Sequence, residues 1–280
     1  MIVNKTKEIL KENNIFAKKK FGQNFITSSS TLEHIIKCAN VTKDDMVIEI
    51  GPGLGSLTEY LAINAKKVIA YEIDKDMVDI LKDTLASYNN VQIINKDFLD
   101  VDLDNDINQY FEGKSNIKVV ANIPYYITTP ILFKLIENKN ISEMYFMMQK
   151  ELGDRLTGIP STKDYNALSV IINYKANAKI EFNVPKNFFL PVPNVDSIVL
   201  SIKKKAKKED IENEVEFFEF VQALFGMRRK TIVNNLSSSK YNYDKELIKE
   251  NLNKLGLKET VRAEELDLEQ IIKLFKTFGW

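Results

Sequence analysis

Four polar residues recur at a near-constant interval: Glu49, Glu72, Asp97 and Asn122, separated by 23, 25 and 25 positions. Each ends or follows a short apolar run, in MVIEI, KVIAYEI, VQIINKD and KVVAN. A carboxylate or amide oxygen at such a point can accept hydrogen bonds from ribose hydroxyls or from the exocyclic amine of a base. The first is followed by Gly51-Pro52-Gly53-Leu54-Gly55, where glycines permit a sharp turn and close approach of a ligand to the backbone. A dinucleotide fingerprint would need glycine at 56; Ser56 stands there and the third glycine comes one residue early, which disfavours a nicotinamide cofactor. Glu72 lies 21 residues beyond Gly51, the separation expected of a carboxylate that receives a ribose, which leaves Asp97 for an adenine amine. One acidic residue at a strand end is more often a helix cap or a solvated turn; four in register favour a nucleotide crevice.

The fourth unit continues as VVANIPYYITTP. Asn122 brings an amide oxygen, Ile123 a backbone carbonyl, Pro124 a fixed φ that keeps that carbonyl aimed, and Tyr125 a flat face. Together they suit a planar base with an exocyclic amine, adenine or cytosine. The plain alternative is a proline turn with an exposed tyrosine.

These residues need a frame. From about residue 42 β-branched runs alternate with helix-period segments (SLTEYLAIN, MVDILKDTLASY, PILFKLIE), the pattern of a doubly wound parallel α/β sheet whose ligands lie beyond the carboxyl ends of its strands. AKIEFNV and VDSIVLSIK alternate and are expected as antiparallel edge strands, with the Lys-rich 203–210 as a linker and the lysines of KKKAKK (203–208) as solvated surface. Beyond it every periodic segment is helical. The expected domains are a basic, flexible 1–20, a Rossmann-like catalytic domain over 21–205 and a small all-α domain over 209–280. The acidic run DVDLDNDI lacks the glycine and glutamate of a calcium loop and is expected to be a solvated loop.

Composition narrows the classes. A chain of 280 residues that is 44% hydrophobic can bury a full core. No signal sequence or apolar run of about 18 residues is present, so a cytoplasmic protein without membrane insertion is expected. One cysteine and one histidine, Cys38 and His34 in TLEHIIKCA, cannot build a zinc site, and both are expected in core packing. Charge is balanced overall but uneven: residues 1–20 hold six lysines against two glutamates. Lys18, Lys19 and Lys20, with Arg228, Arg229 and Lys230, are candidate phosphate contacts for a polyanion.

FGQNFITS (21–28), EIGPGLGSLTEYL (49–61), YEID (71–74), KDFLD (96–100), NIPYYITTPILFKL (122–135), MMQKELGDRL (147–156), FFLPVPNVDS (188–197), RRKT (228–231), NNL (234–236) and RAEELD (262–267) occur in order. They resemble the ribosomal RNA adenine dimethyltransferases, which use S-adenosylmethionine, over nearly the whole chain. The resemblance implies a methyltransferase sheet, parallel with an antiparallel edge, and a helical RNA-contacting domain. It implies that Asn24 and Ile26 close over the cofactor, that Gly51 and Gly53 meet its methionine part, Glu72 and Ile73 its ribose, and Asp97 and Phe98 its adenine. Asn122 would lie between cofactor and target and touch both, Ile123 and Pro124 would face the target adenine, and Tyr125 and Phe189 would be its stacking faces, although core filling is expected for one of Phe188 and Phe189. The glycine loop, MQKE and RRKT with NNL are similar to the small-subunit branch, whose substrate is a pair of adjacent adenines in the 3′-terminal hairpin of small-subunit rRNA, each dimethylated during ribosome biogenesis. The resemblance implies no metal, a monomer, and rRNA within an assembling subunit as partner. Alternatives are the large-subunit macrolide-resistance enzyme and a non-catalytic RNA-binding assembly factor. Cytosine C5 methylation is disfavoured, since it needs a cysteine nucleophile and Cys38 lies away from the strand ends. Departures from the family pattern are Ile26 for Leu, Gly153 for Ala or Val, and Val233 where Arg often stands.

Overall fold

In the computed structural model residues 6–12, 22–124, 127–206 and 211–279 are described. The elements run α1 (Thr6–Glu12), β1 (Phe25–Ile26), α2 (Ser29–Ala39), β2 (Met46–Ile50), α3 (Ser56–Asn64), β3 (Lys67–Glu72), α4 (Lys75–Thr84), β4 (Val91–Asn95), α5 (Leu103–Phe111), β5 (Ile117–Asn122), α6 (Thr128–Glu137), β6 (Ile141–Gln149) and α7 (Lys150–Leu156). Then follow α8 (Ala167–Lys175), β7 (Ala176–Val184), β8 (Phe189–Leu190), β9 (Ser197–Lys204), α9 (Glu214–Leu224), α10 (Ile232–Ser237), α11 (Lys245–Lys254) and α12 (Leu268–Lys276).

Among the described residues seven strands form one sheet in the order β4-β3-β2-β5-β6-β9-β7. Pairings from β4 through β6 are parallel, and β9 joins β6 antiparallel. The β-branched runs explain the strands: Val47, Ile48, Val68, Ile69, Val119 and Val120 are fully buried, as strands covered on both faces must be. The chain leaves β2 toward β3 and β4, then returns to β2's other side as β5. That reversal opens a crevice at the carboxyl ends of β2 and β5, where Gly51 and Asn122 stand.

The sequence-based picture differs from the structure in several places. β9 is an interior strand with Ile198, Val199, Leu200 and Ile202 buried, so of the two expected edge strands β7 alone lies at an edge, and β9 already contains Lys203 and Lys204 of the expected linker. The Lys204 ammonium donates to the Asn138 carbonyl at 2.6 Å. The acidic run is a helix start: Asp102 accepts from the Asn105 N–H at 3.1 Å, capping α5, whose first turn carries Asp104 and Asp106 against the positive end of the helix dipole. Within the expected flexible segment, α1 is ordered: Ile9 and Leu10 pack on Phe25, Leu54 and Met77, and the buried Thr6 hydroxyl donates to the Ile26 carbonyl at 2.9 Å. His34 is exposed rather than core, stacked on Phe182 at 4.1 Å, and Cys38 is half-buried.

The chain divides into two compact units, residues 1–153 with 179–204, and 154–178 with 205–280. The second thus takes in 154–178 beside the expected C-terminal helices. Aromatic packing explains this: Tyr174 of α8 lies 5.2 Å from Phe217 of α9, which lies 5.3 Å from Phe275 of α12, and Lys175 pairs with Glu214. In this unit the buried Asn235 donates to the Leu224 and Met227 carbonyls at 2.6 and 3.2 Å and accepts from the Met227 N–H. It thereby sets the turn that presents Arg228, Arg229 and Lys230, all exposed.

Candidate active site

Strand ends build one cavity. Asn24, Ile26, Gly51, Gly53, Glu72, Ile73, Asp97, Phe98, Asn122, Ile123 and Pro124 all line it, joined by Gln23, Phe25, Glu49, Ser56, Leu57, Tyr71 and Lys96. The crevice expected from spacing alone is therefore a physical cleft that joins the glycine loop to the Asn122 turn.

The glycine loop needs its glycines for stated reasons. Gly51 has φ +68° and its N–H donates to the Tyr71 carbonyl at 2.9 Å, continuing the β2–β3 ladder into the turn. Gly53 has φ +58°; a Cβ there would lie 3.1 Å from Phe25 Cε1, and its N–H donates to Glu72 Oε2 at 3.0 Å. Glu72 Oε1 accepts from the Asp74 N–H at 2.9 Å, so backbone donors hold both carboxylate oxygens. Burial raises the Glu72 pKa, the backbone donors at Asp74 and Gly53 oppose that rise, and the Asp74 charge adds to it. Asp97 turns one oxygen to the Leu99 N–H at 2.9 Å and caps a short 3-10 turn containing Phe98. Phe98 is buried edge-on to Tyr71 at 5.3 Å, and Ile73 is 45% exposed.

Asn122 ends β5 with its Nδ2 donating to the Asn24 carbonyl at 3.1 Å. The opposite end of the amide, Oδ1, is left as an acceptor. The Ile123 N–H donates to the Met147 carbonyl at 3.2 Å, which carries the β5–β6 pairing one residue further and fixes the peptide that follows.

Glu49 is the residue whose weight the sequence conceals. It is 1% exposed, lines the cavity, and its Oε2 has no hydrogen-bond partner among the described residues. Burial pushes its carboxyl up to about 8; the Thr58 hydroxyl offsets part of this and the charge of Glu72 adds to it. An uncompensated buried carboxyl is costly unless a cation or donor meets it. Spacing marks the position, but the missing partner is visible only in three dimensions.

Two candidates lie elsewhere. Phe189 does not line the cavity: in β8 it pairs with Ile26, is 2% exposed and fills the core with Tyr60, Val120 and Met147. Antiparallel pairing with β1 turns the ring inward, so the core-filling alternative describes Phe189, while Phe188 is half-buried. Arg228 is engaged, its Nε 3.0 Å from Glu264 Oε2. Val233 is buried in α10. Tyr125 and Lys18, Lys19 and Lys20 fall outside the described residues. Among the described residues no group of three or more His, Cys, Asp or Glu side chains is placed to hold a metal, and no helix is long and apolar enough to cross a membrane.

The sequence model of the ribosomal RNA adenine dimethylase family matches residues 14–279. The chain belongs to this family. It is 44% identical over 277 residues to ribosomal RNA small subunit methyltransferase A of Oceanobacillus iheyensis, covering 98% of this chain and 94% of that one. It is 47% identical over 274 residues to the protein of the same name from Lachnoclostridium phytofermentans, covering 96% and 94%. Among solved structures, a dimethyladenosine transferase from Plasmodium falciparum superposes with TM-score 0.78 at 25% identity, covering 91% of this chain and 97% of that one. The 23S rRNA methyltransferase ErmE does so with TM-score 0.70 at 25% identity, covering 92% and 100%. The dimethylase is accordingly an S-adenosylmethionine-dependent enzyme that dimethylates adenine in ribosomal RNA, on a Rossmann-like sheet with an antiparallel strand. Its cavity fits that cofactor in the chemistry of its lining: a buried carboxyl with one oxygen lacking a partner among the described residues suits a cationic end, and Glu72 and Asp97 offer acceptors for hydroxyls and an amine.

Proposed function

We propose that the dimethylase acts on small-subunit rRNA, converting two adjacent adenines of the 3′-terminal hairpin to N6,N6-dimethyladenine during subunit assembly, and that it works in the cytoplasm as a monomer. The observation that carries the proposal is the convergence of four strand ends on one cavity beside an Asn122 amide anchored to Asn24, in a chain 44–47% identical to proteins named for the small subunit.

S-adenosylmethionine supplies a methyl group made electrophilic by its sulfonium. The residues proposed to hold it are Asn24, Ile26, Gly51, Gly53, Glu49, Glu72, Ile73, Asp97 and Phe98, with Glu72 taking ribose hydroxyls and Asp97 the adenine amine. Asn122 Oδ1 and the Ile123 carbonyl accept hydrogens of the target N6 amine, which turns its nitrogen lone pair toward the methyl group and away from the acceptors. Pro124 keeps the carbonyl aimed. A target base must leave its stack at a cost of a few kcal/mol. Stacking on Tyr125 offsets about 1–3 kcal/mol of that. Arg229 and Lys230, with Lys18, Lys19 and Lys20, are proposed to neutralise phosphates, which places the RNA without reading its sequence.

Methylation of isolated small and large subunits with radiolabelled cofactor, mapped by primer extension, tests this reading. Label in two adjacent adenines near the small-subunit rRNA 3′ end is expected; label confined to large-subunit RNA would overturn it in favour of the macrolide-resistance type.

A further inference from the structure

Gln23 and Asp74 link the Glu72 side of the cavity to the segment that meets Asn122. Gln23 Nε2 donates to Asp74 Oδ2 at 2.9 Å. Asp74 is 3% exposed and held by the fold: its Oδ1 accepts from the Asp76 N–H at 3.2 Å, capping α4, and its own N–H donates to Glu72 Oε1 at 2.9 Å. Glu72 Oε2 in turn holds Gly53. Gln23 is thereby tied to the rigid ribose-side carboxylates.

The residue after Gln23 supplies the carbonyl that receives Asn122 Nδ2. Downstream, Ile26 pairs with Phe189 in β1–β8, and the Thr27 N–H donates to the Phe188 carbonyl at 2.8 Å. The segment from 22 to 27 is thus fastened at both ends, with the Asn24 carbonyl between the fastenings. That carbonyl fixes which end of the Asn122 amide stays an acceptor. If it moves, the amide can turn and offer its NH2 to the target amine, donor against donor, and the alignment for transfer is lost.

We propose that Gln23 is a positioning residue of the methyl transfer: anchored to Asp74, it holds the Asn24 carbonyl in place and so orients the Asn122 amide toward the target adenine. The inference rests on the proposed role of Asn122. It predicts a defect larger in turnover than in cofactor binding: the Glu72 contacts are made by backbone N–H groups that a change at 23 leaves untouched, and of the residues proposed to hold the cofactor only Asn24 and Ile26 lie on the segment that shifts.

A set of variants separates the possibilities. Gln23→Leu removes the hydrogen bond, Gln23→Glu sets two carboxylates face to face, and Q23E combined with D74N exchanges donor and acceptor across the same gap while an amide oxygen still caps α4. Both single variants are expected to lower kcat about tenfold to hundredfold. The dissociation constant for S-adenosylmethionine, measured by calorimetry, is expected to rise by a smaller factor than kcat falls, and the double variant to recover most of the kcat that Q23E forfeits. Full turnover in both single variants, a double variant as slow as Q23E, or a defect confined to cofactor affinity would each overturn the proposal. Asn122→Ala measured alongside keeps the two readings apart. If it turns over normally the role of Asn122 falls; if it is inactive while the Gln23 variants are normal, only the positioning role falls.

Discussion

Replacing Glu49 with glutamine should change how stability depends on pH. The carboxyl titrates at about 8 in the folded protein against an ordinary value of 4.5, so between those limits the folded state holds a proton that the unfolded state has released. Stability from this group is therefore greatest below pH 4.5, falls as pH rises, and is gone once pH passes 8. At about 1.36 kcal/mol per pH unit, the interval from 4.5 to about 8 corresponds to roughly 5 kcal/mol, with no discount for solvent because the group is 1% exposed. Glutamine cannot ionise, and its buried amide adds a pH-independent cost of about 1–3 kcal/mol. Urea unfolding of both proteins at intervals from pH 5 to 9, followed by circular dichroism, measures the difference. The unaltered protein should weaken relative to E49Q by several kcal/mol across this range. Parallel curves would refute the reasoning, showing that Glu49 ionises at an ordinary pH or that its environment is wetter than its burial indicates.

Other outcomes follow from the site. Asn122→Ala should reduce methyl incorporation into rRNA more than about a hundredfold while calorimetry still detects S-adenosylmethionine binding; near-normal incorporation would remove Asn122 from the mechanism. Phe189→Ala should lower stability by about 3–5 kcal/mol in denaturant melts, as a core aromatic does, while Phe189→Leu keeps the KM for rRNA unchanged; a raised KM in a stable Leu variant would restore the stacking role. Charge reversal at Arg229 and Lys230 should weaken rRNA binding and make its salt dependence shallower, by about 1 in the log–log slope for each phosphate no longer neutralised. Arg228→Ala should do less, since Glu264 already engages that guanidinium, and a larger effect from Arg228 would reverse the assignment.

The crevice is legible in the sequence because each strand is an almost unbroken β-branched run ending in a polar residue, so the carboxyl ends can be aligned by counting. α3 is similarly legible, its periodic SLTEYLAIN bounded by Gly55 and Ala65. Phe189 is not: a two-residue strand has no period from which to infer a facing side, and its direction comes from a partner at Ile26. Asp102 through Asp106 read as a loop because acidic residues favour both solvated turns and the first turn of a helix, and only the cap hydrogen bond separates the two. Residues 154–178 sit beside the sheet in sequence, whereas Tyr174 packs its aromatic face on residues more than forty positions downstream. The link from Gln23 to Asp74 spans 51 positions and leaves no local signature at either residue.

The pairing of Phe25 and Ile26 with Leu190 and Phe189 also orders events during synthesis. The amino-terminal lip of the cleft has no strand to join until residue 190 has left the ribosome, more than 160 residues after β1. A nascent chain therefore makes the side-chain ties of this segment, Gln23 to Asp74 and Asn122 to Asn24, before its strand partner exists. The β1–β8 pairing, which completes the amino-terminal lip, forms only after nearly all of the first unit has been made.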